Sequence, residues 1–142
     1  GNLQKQAEYM SYDSFGNPLW IRSHGRDHVF VWGRVGQELL AIVNNATEAE
    51  VAAALGVEDL NTISEQYEPS SEIGSIIRAA LSDALVTSYT YIPGIGVGSE
   101  TGPDGQTIHY SYDEKGRLSY IYRIDDGNIS IIEKYDYNLI NE

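Results

Sequence analysis

The densest group of side chains that could do chemistry lies in the segment His24-Gly25-Arg26-Asp27-His28. Two histidines four residues apart bind zinc well when both lie on one face of a helix. Here, however, Gly25 and the apolar run that begins at Val29 predict a hairpin loop. We therefore expect a turn at this segment, with neither a metal site nor a catalytic site.

Two further loops contain residue types that bind ions or phosphates. Asp125-Asp126-Gly127-Asn128 offers the oxygens that Ca²⁺ prefers, but no later ligand follows at an EF-hand spacing. Gly94-Ile95-Gly96-Val97-Gly98 follows Pro93 and opens no helix, unlike a dinucleotide-binding loop. The sequence also lacks a Gly-x-Ser-x-Gly elbow. It therefore predicts a protein that is not an enzyme, with no catalytic residues, no metal and no cofactor.

The net charge of the chain argues against some kinds of binding partner. The 142 residues include 9 Lys+Arg and 21 Asp+Glu, which gives a net charge of -12. This charge repels phosphates, so we expect no nucleic-acid partner. No apolar run approaches the roughly 18 residues of a spanning helix, so we expect a soluble chain without a membrane span. The count of Cys 0 excludes disulfides and thiolate sites.

Two kinds of turn recur along the chain. Tyr12-Asp13-Ser14-Phe15-Gly16 and Tyr112-Asp113-Glu114-Lys115-Gly116 share Tyr-Asp, a two-residue spacer and Gly. Asp104-Gly105 and Asp126-Gly127 each precede a strand-like run that ends in Tyr-x-Tyr. Asp-Gly supplies the positive φ that tight hairpin turns need. We therefore expect a degenerate array of hairpins over residues 86–142.

Between these turns, apolar residues recur at every second position, as on one face of a strand. The residues are Ile108, Tyr110 and Tyr112 in one run and Leu118, Tyr120, Tyr122 and Ile124 in the next. We expect tyrosines to stack beside tyrosines across neighbouring strands. Each such pair contributes roughly 0.2–1 kcal/mol over Ala–Ala.

Helices are expected in the middle of the chain. Thr47-Glu48-Ala49-Glu50 is a capping box that begins a helix ending at Gly56. A second short helix is expected over residues 58–66, and a third after Pro69. The apolar stripe of this third helix, which should be buried on the sheet, consists of Ile73, Ile76, Ile77, Ala80 and Leu81.

These elements predict one α+β domain over residues 1–142. Its antiparallel, hairpin-built sheet should have roughly six to eight strands, with two or three inserted helices. Residues 1–45 should supply strands and one Tyr-Asp unit, residues 46–85 the helical insert, and residues 86–142 the degenerate repeats. Strands are expected at Leu19–Arg22, Val29–Trp32 and Leu39–Val43.

The Tyr-Asp units resemble the Rhs/YD-repeat family of bacterial surface and secreted proteins. Tyr110 to Leu118 and Asp126-Gly127-Asn128 are similar to the family's Asp-x-x-Gly-Arg-Leu and Asp-Gly turns, and Trp32-Gly33 resembles a region near the C-terminal end of such chains. Ile92 departs from the pattern, and the Asp-Pro-x-Gly-rich segment tied to self-cleavage is absent from this sequence. The resemblance implies a non-catalytic C-terminal segment that closes a β array, outside the cell or at its surface.

The resemblance also implies that the main partner is the remainder of the same repeat chain, and Gly1 in place of Met suggests a piece of a longer protein. Unpaired strand edges would invite a homodimer. The alternative is a glycan- or peptide-binding module that uses tyrosine-rich strand faces, with ligand-binding residues unknown. Exposed tyrosines would favour that alternative, and tyrosines buried beneath Ile73, Ile76 and Ile77 would exclude it.

Overall fold

The computed structural model describes residues 7–137, and within this range the chain forms nine strands and three short helices. The strands are β1 (Ala7–Tyr12), β2 (Pro18–Ser23), β3 (Arg26–Gly33), β4 (Glu38–Asn44), β5 (Leu85–Ile92), β6 (Gly96–Thr101), β7 (Thr107–Tyr112), β8 (Leu118–Asp125) and β9 (Asn128–Lys134). The helices α1 (Glu48–Ala54), α2 (Asn61–Ser64) and α3 (Ile73–Ala80) lie between β4 and β5. The prediction of an antiparallel, hairpin-built sheet with inserted helices is confirmed, with more strands than expected.

The chain divides into two compact units, with the boundary after Ser88. The first unit contains β1 to β4, the helices and the first half of β5. The second unit contains the rest of β5 and β6 to β9. The pairings that join β1 to β4 and β6 to β9 each link a strand to the next strand along the chain.

Helix α1 begins where the sequence predicts. The Thr47 hydroxyl accepts from the Glu50 backbone N–H at 3.3 Å, and the Glu50 carboxylate accepts from the Thr47 N–H at 2.8 Å. This reciprocal capping box satisfies two N–H groups that a helix start otherwise leaves unpaired. Past the end of α1, Gly56 has a φ of 72°. Helix α2 is shorter than the range 58–66 that the sequence suggests.

The core of the first unit lies between the helices and the sheet. Helix α2 packs on β3 and helix α3 packs on β4. The fully buried side chains are Leu60, Ile77 and Val51 from the helical segment and Val29, Val31, Val43 and Val86 from the strands. Burying one such side chain stabilises the fold by about 1.5–3 kcal/mol. The helices therefore cover one face of this part of the sheet.

The predicted apolar stripe of α3 is only partly buried. Ile73 and Ile77 lie in the core, but Ile76 is 41% exposed and Ala80 is also exposed. The reason is a close approach at Gly74, where an added Cβ would overlap the Ser88 side chain. The helix therefore turns Ile73, Gly74 and Ile77 toward the strands and leaves Ile76 in solvent.

The turn between β3 and β4 has a left-handed backbone at Arg34 (φ 51°), Val35 (φ 55°) and Gly36 (φ 76°). This conformation is costly for a β-branched residue such as Val35, and it persists only where the surroundings fix it. Here the Val35 N–H donates to Gln66 O at 3.1 Å, and the Gly36 N–H donates to Ser64 O at 2.9 Å. Carbonyls at the end of α2 therefore hold the turn in place.

We predict that Gly36→Ala destabilises the protein more than Gly16→Ala. Both glycines have a positive φ (76° and 89°), so alanine costs a similar backbone energy of about 1 kcal/mol at each site. A Cβ at Gly36 would lie 2.6 Å from the Phe15 ring, whereas nothing lies within 4 Å at Gly16. Urea unfolding should therefore show a loss of about 2 kcal/mol or more for Gly36→Ala. Equal losses would contradict the packing of Phe15 on this turn.

Candidate functional site

A cleft of about 470 Å³ lies in the first unit. Its lining residues are Arg26, Asp27, His28, Asn44, Asn45, Asp83 and Leu85. Part of the histidine-containing segment identified in the sequence therefore lines a concave surface. His24 and Gly25, with φ of 53° and 76°, form the two-residue turn between β2 and β3. Positive φ at both positions is typical of a type I′ hairpin turn, so the prediction of a turn here is confirmed.

The two histidines of this segment have different surroundings. His24 lies in the turn, where its Nδ1 is 3.2 Å from the Ser23 hydroxyl. His28 lies in β3, where its Nδ1 is 2.7 Å from Asn44 Oδ1. They do not share a helix face. Among residues 7–137, no group of three or more His, Asp or Glu side chains is placed to hold a metal ion.

The Asp27 carboxylate is fixed by two donors from β2. Its Oδ1 accepts from Trp20 Nε1 at 2.9 Å and from Arg22 Nε at 3.0 Å. These interactions, with the Trp20 hydrogen bond as the largest, hold the pKa of Asp27 below its ordinary value of 3.8. The Asp27 backbone carbonyl also accepts from the Asn45 N–H at 3.0 Å. Asp27 is therefore an ionised anchor of the hairpin and a poor proton acceptor.

His28 and two charged residues give the cleft its binding groups. With Asn44 Oδ1 as the acceptor, His28 Nδ1 is the donor of this hydrogen bond. Arg26 and Asp83 add one cation and one anion to the lining. The lining residues include no serine, threonine, cysteine or lysine that could act as a nucleophile. This arrangement can hydrogen-bond a small polar group.

Tyrosines form a second candidate surface, in the second unit. Tyr110 Oη donates to Glu100 Oε1 at 3.2 Å, and Tyr110 lies opposite Ile121 of β8. Burial, followed by the charge of Glu100, raises the pKa of both Tyr89 and Tyr110. These phenols therefore stay protonated, and both residues are half-buried.

The opposite face of this sheet has its own aromatic group. The His109 and Tyr122 rings stack across β7 and β8 with centroids 5.0 Å apart and an interplanar angle of 19°. Tyr120 lies against Tyr122 on the same strand, with centroids 5.7 Å apart. Across the strands, Tyr120 lies opposite Ser111.

The prediction that tyrosine stacks on tyrosine between these two strands is therefore wrong. The turn after Tyr112 sets the pairing of Tyr112 with Leu118, and a register shift follows between Tyr112 and Ser111. Because directly opposite residues share a face, Tyr110 and Tyr120 then lie opposite non-tyrosine side chains.

The two glycine-containing loops differ in structure. Asp126 (φ 51°) and Gly127 (φ 81°) form the two-residue turn between β8 and β9, as the sequence predicts. By contrast, Gly96–Gly98 are the first residues of β6, and only Gly94 lies in a turn. Tyr112 Oη donates to Val97 O at 2.7 Å and passes close over Gly96. A Cβ at position 96 would lie 3.0 Å from Tyr112 Oη, so glycine leaves room for the tyrosine to cross the strand backbone.

The Tyr-Asp turns are fixed by their aspartates. In the first, Asp13 Oδ1 accepts from the Phe15 N–H at 3.0 Å and the Asn17 N–H at 2.8 Å, and Oδ2 accepts from Asn17 Nδ2 at 3.0 Å. The Asp13 N–H donates to Asn17 O at 2.8 Å, which closes a hairpin loop. Asp13 is only 6% exposed. A buried carboxylate that accepts three hydrogen bonds acts as the centre of the turn.

The second Tyr-Asp turn repeats this geometry. Asp113 Oδ1 accepts from the N–H groups of Lys115 and Arg117, both at 2.9 Å, and Oδ2 accepts from Arg117 Nε at 2.9 Å. The Asp113 N–H donates to Arg117 O at 2.8 Å. The turn at Asp113 therefore matches the turn at Asp13 in three respects. Each aspartate accepts three hydrogen bonds, each loop has five residues, and the same backbone hydrogen bond closes each loop.

A third loop has the same backbone closure. The Gly102 N–H donates to Gln106 O at 3.0 Å, and the Gly105 N–H donates to Gly102 O at 2.9 Å. Asp104 lies inside this loop, where its Oδ1 accepts from the Gln106 N–H at 3.0 Å. The sequence grouped Asp104-Gly105 with Asp126-Gly127, but the two belong to different turn types, because the first sits in a five-residue loop.

No protein-family model matches the chain, and no curated protein sequence matches it. None of the helices within residues 7–137 is both long and apolar enough to cross a lipid bilayer.

The Asp27–Trp20 hydrogen bond predicts an acid-sensitive hairpin. Because folding lowers the pKa of Asp27, its contribution to stability is present above pH 3.8 and is lost as pH falls through the lower, folded value. In a Trp32→Phe variant, which leaves Trp20 as the single tryptophan, indole fluorescence should change with a midpoint below pH 3.8. The Trp32→Phe/Asp27→Asn variant should lack this transition. An unchanged transition in the double variant would contradict the assignment.

Proposed function

We propose that this chain is a non-catalytic structural segment of a bacterial YD-repeat, Rhs-like protein that is secreted or lies at the cell surface, and that it closes a β array. The observation that carries the proposal is the Tyr-Asp turn, which is built twice with the same hydrogen bonds, around Asp13 and around Asp113. Each turn is followed by a strand and then by a two-residue turn that ends in glycine.

This order of elements is typical of a repeat protein. The series β1, β2 and β3 has the same two turn types as the series β7, β8 and β9. In both series the pairing shifts register at the residue before the turn, between Ser11 and Tyr12 and between Ser111 and Tyr112. A duplicated unit with its irregularity in the same place supports an origin in repeats rather than chance turn chemistry.

The helices support the closing role. In a stacked array each unit leaves a face or edge that its neighbour covers, so the end of the array needs a different covering layer. Helices α1 to α3 supply such a layer for the sheet of the first unit, through Leu60, Val51 and Ile77. Asp27 and His28, which line the cleft of the first unit, are held by hydrogen bonds within the hairpins, and this favours a structural role for them.

Fractionation of source cells tests this proposal directly. An antibody raised against this chain should detect a band far above 15.7 kDa in the envelope or the medium. The size is expected because a closing segment is part of a longer repeat chain, and the location because the array lies outside the cell. A cytoplasmic band near 15.7 kDa would overturn the proposal.

A second candidate function is a glycan- or peptide-binding module. The observation that favours it is the incomplete burial of Tyr110, Tyr120 and Tyr122, which leaves aromatic surface in the second unit. Burial of the tyrosines beneath the isoleucines of α3 is the result that would exclude this candidate. Ile73 and Ile77 instead belong to the first unit and pack in its core. Aromatic rings of this kind stack on sugars and on peptide side chains.

Binding to a printed glycan or peptide array, measured for a matched pair of variants, tests this candidate. If the sheet face that carries Tyr120 and Tyr122 binds a glycan or peptide, Tyr122→Leu should remove binding to that ligand, because leucine cannot stack. Tyr67→Leu, at a tyrosine of the first unit that is 77% exposed, should bind like the original chain. No array ligand for the unaltered chain, or equal binding by both variants, would count against the candidate.

A further inference from the structure

Strand β9 (Asn128–Lys134) is an open edge. Within residues 7–137 its only paired neighbour is β8, and all seven of its residues are exposed. Ile129 is 64% exposed, Ile131 is 56% exposed and Ile132 is 47% exposed. An edge strand presents backbone N–H and C=O groups that can pair with another chain.

The other edge strand, β1, is more irregular than β9. Its pairing with β2 has two register irregularities, whereas the pairing of β9 with β8 has one, and Glu8 puts a charge within β1, whereas the charges of β9 lie at its end. Ser11 Oγ also donates to the Glu48 carboxylate of α1. By contrast, Asn128 to Ile132 contains neither a charge nor a proline, and its isoleucines have high β propensity. Proteins use bulges and charges to block edge pairing, so the segment from Asn128 to Ile132 is the less protected edge.

We propose that β9 pairs antiparallel with β9 of a second copy of this chain, about a two-fold axis near Ser130. Ile129 lies opposite Ile124, and Ile131 lies opposite Tyr122, so both isoleucines are on the same face of the sheet. An axis at Ser130 places Ile129 of each copy across from Ile131 of the other. The strand is therefore self-complementary, as a two-fold interface requires.

The charges near β9 select this orientation. Lys134 ends the strand on the isoleucine face, opposite Tyr120, whereas Glu133 lies opposite Ile121 on the other face. Asp126 lies in the turn just before the strand begins. An antiparallel pair brings Lys134 of each copy toward the acidic turn of the other. A parallel pair would bring like charges together, which is destabilising.

The uncharged middle of β9 permits a second copy of this chain as its partner. The stretch from Asn128 to Ile132 is uncharged, so it lets two chains with a net charge of -12 approach without opposing carboxylates within the strand. The contact is a single strand pair, which is smaller than a standard interface, so the dimer should be weak and dependent on concentration. The inference rests on the exposure of β9 and is independent of the proposed role in a β array.

Sedimentation equilibrium over a concentration series tests the dimer. The full chain should approach twice 15.7 kDa as its concentration rises. Ile131→Lys should weaken association by about tenfold or more, because a two-fold interface contains the change twice and each copy loses an apolar cross-strand pair. The matched control is Ile95→Lys, at an isoleucine in the β5–β6 turn that is 45% exposed, and it should associate like the original chain.

Mixing two variants tests the register. Ile129→Asp alone should also associate weakly. Mixed with Ile131→Lys, it should form a mixed dimer at least about tenfold tighter than either variant alone, because one aspartate then faces one lysine and one isoleucine pair remains. A thermal melt followed by circular dichroism checks that each variant folds. If Ile131→Lys does not fold, Ile129→Asp takes its place in the comparison with Ile95→Lys. Any one of four results would overturn the proposal. The original chain could be monomeric, the Ile131→Lys dimer could be unaffected, the Ile95→Lys dimer could be weakened, or the mixed dimer could be no tighter than the dimers of its components.

Discussion

The first unit depends on the hydrogen bonds around the carboxylate of Asp13. That carboxylate positions the side chain of Asn17, whose Nδ2 also donates to Gly36 O at 2.8 Å. The Gly36 N–H in turn donates to Ser64 O at the end of α2. One buried acid therefore links the first hairpin, the strained β3–β4 turn and the helical layer. Leaving the buried Asp13 carboxylate without one of its donors would cost about 1–3 kcal/mol.

The same turn has a different role in the second unit. At Asp113 the third donor is the Arg117 guanidinium, where the first turn has the Asn17 amide. The Arg117 side chain also lies over the Tyr137 ring, at 4.3 Å from its centroid. Hydrogen bonds from Arg117, mainly from its backbone N–H, lower the pKa of Asp113. The same turn backbone is therefore used twice. In the first unit it is linked to the helical layer through Asn17, and in the second unit it is completed by the Arg117 side chain.

The sequence predicts the parts of this fold that local chemistry decides. The capping box at Thr47, the positive φ at Gly116 and Gly127, and the turn at His24-Gly25 each depend on neighbouring residues, and all of them are in the structure. The exposure of Ile76 depends on the approach of Gly74 to Ser88, which no periodicity can reveal.

Register and side-chain partners are less predictable. The five-residue turn between β7 and β8 and the register shift beside it decide which side chains meet, and this is why the expected tyrosine stack is replaced by the His109–Tyr122 pair. The cleft of the first unit also depends on Asn44 and Asp83, and no sequence pattern groups these two residues with His28. The repeated Tyr-Asp motif was the available signal for the Asp13 turn, but its burial depends on the distant Gly36 loop.

The meander topology also bears on how quickly the chain can fold. Most strands pair with a neighbour only a few residues away, so each hairpin closes a short loop and loses little chain entropy. The pairing of Ala41–Asn44 with Leu85–Ser88 is different, because it must close a loop that contains all three helices. Contacts between residues far apart in sequence slow folding. The pairing of β4 with β5 is therefore the slowest step in the folding of the first unit, both on the ribosome and during refolding. The apolar faces of β3 and β4 stay exposed until α2 and α3 pack on them.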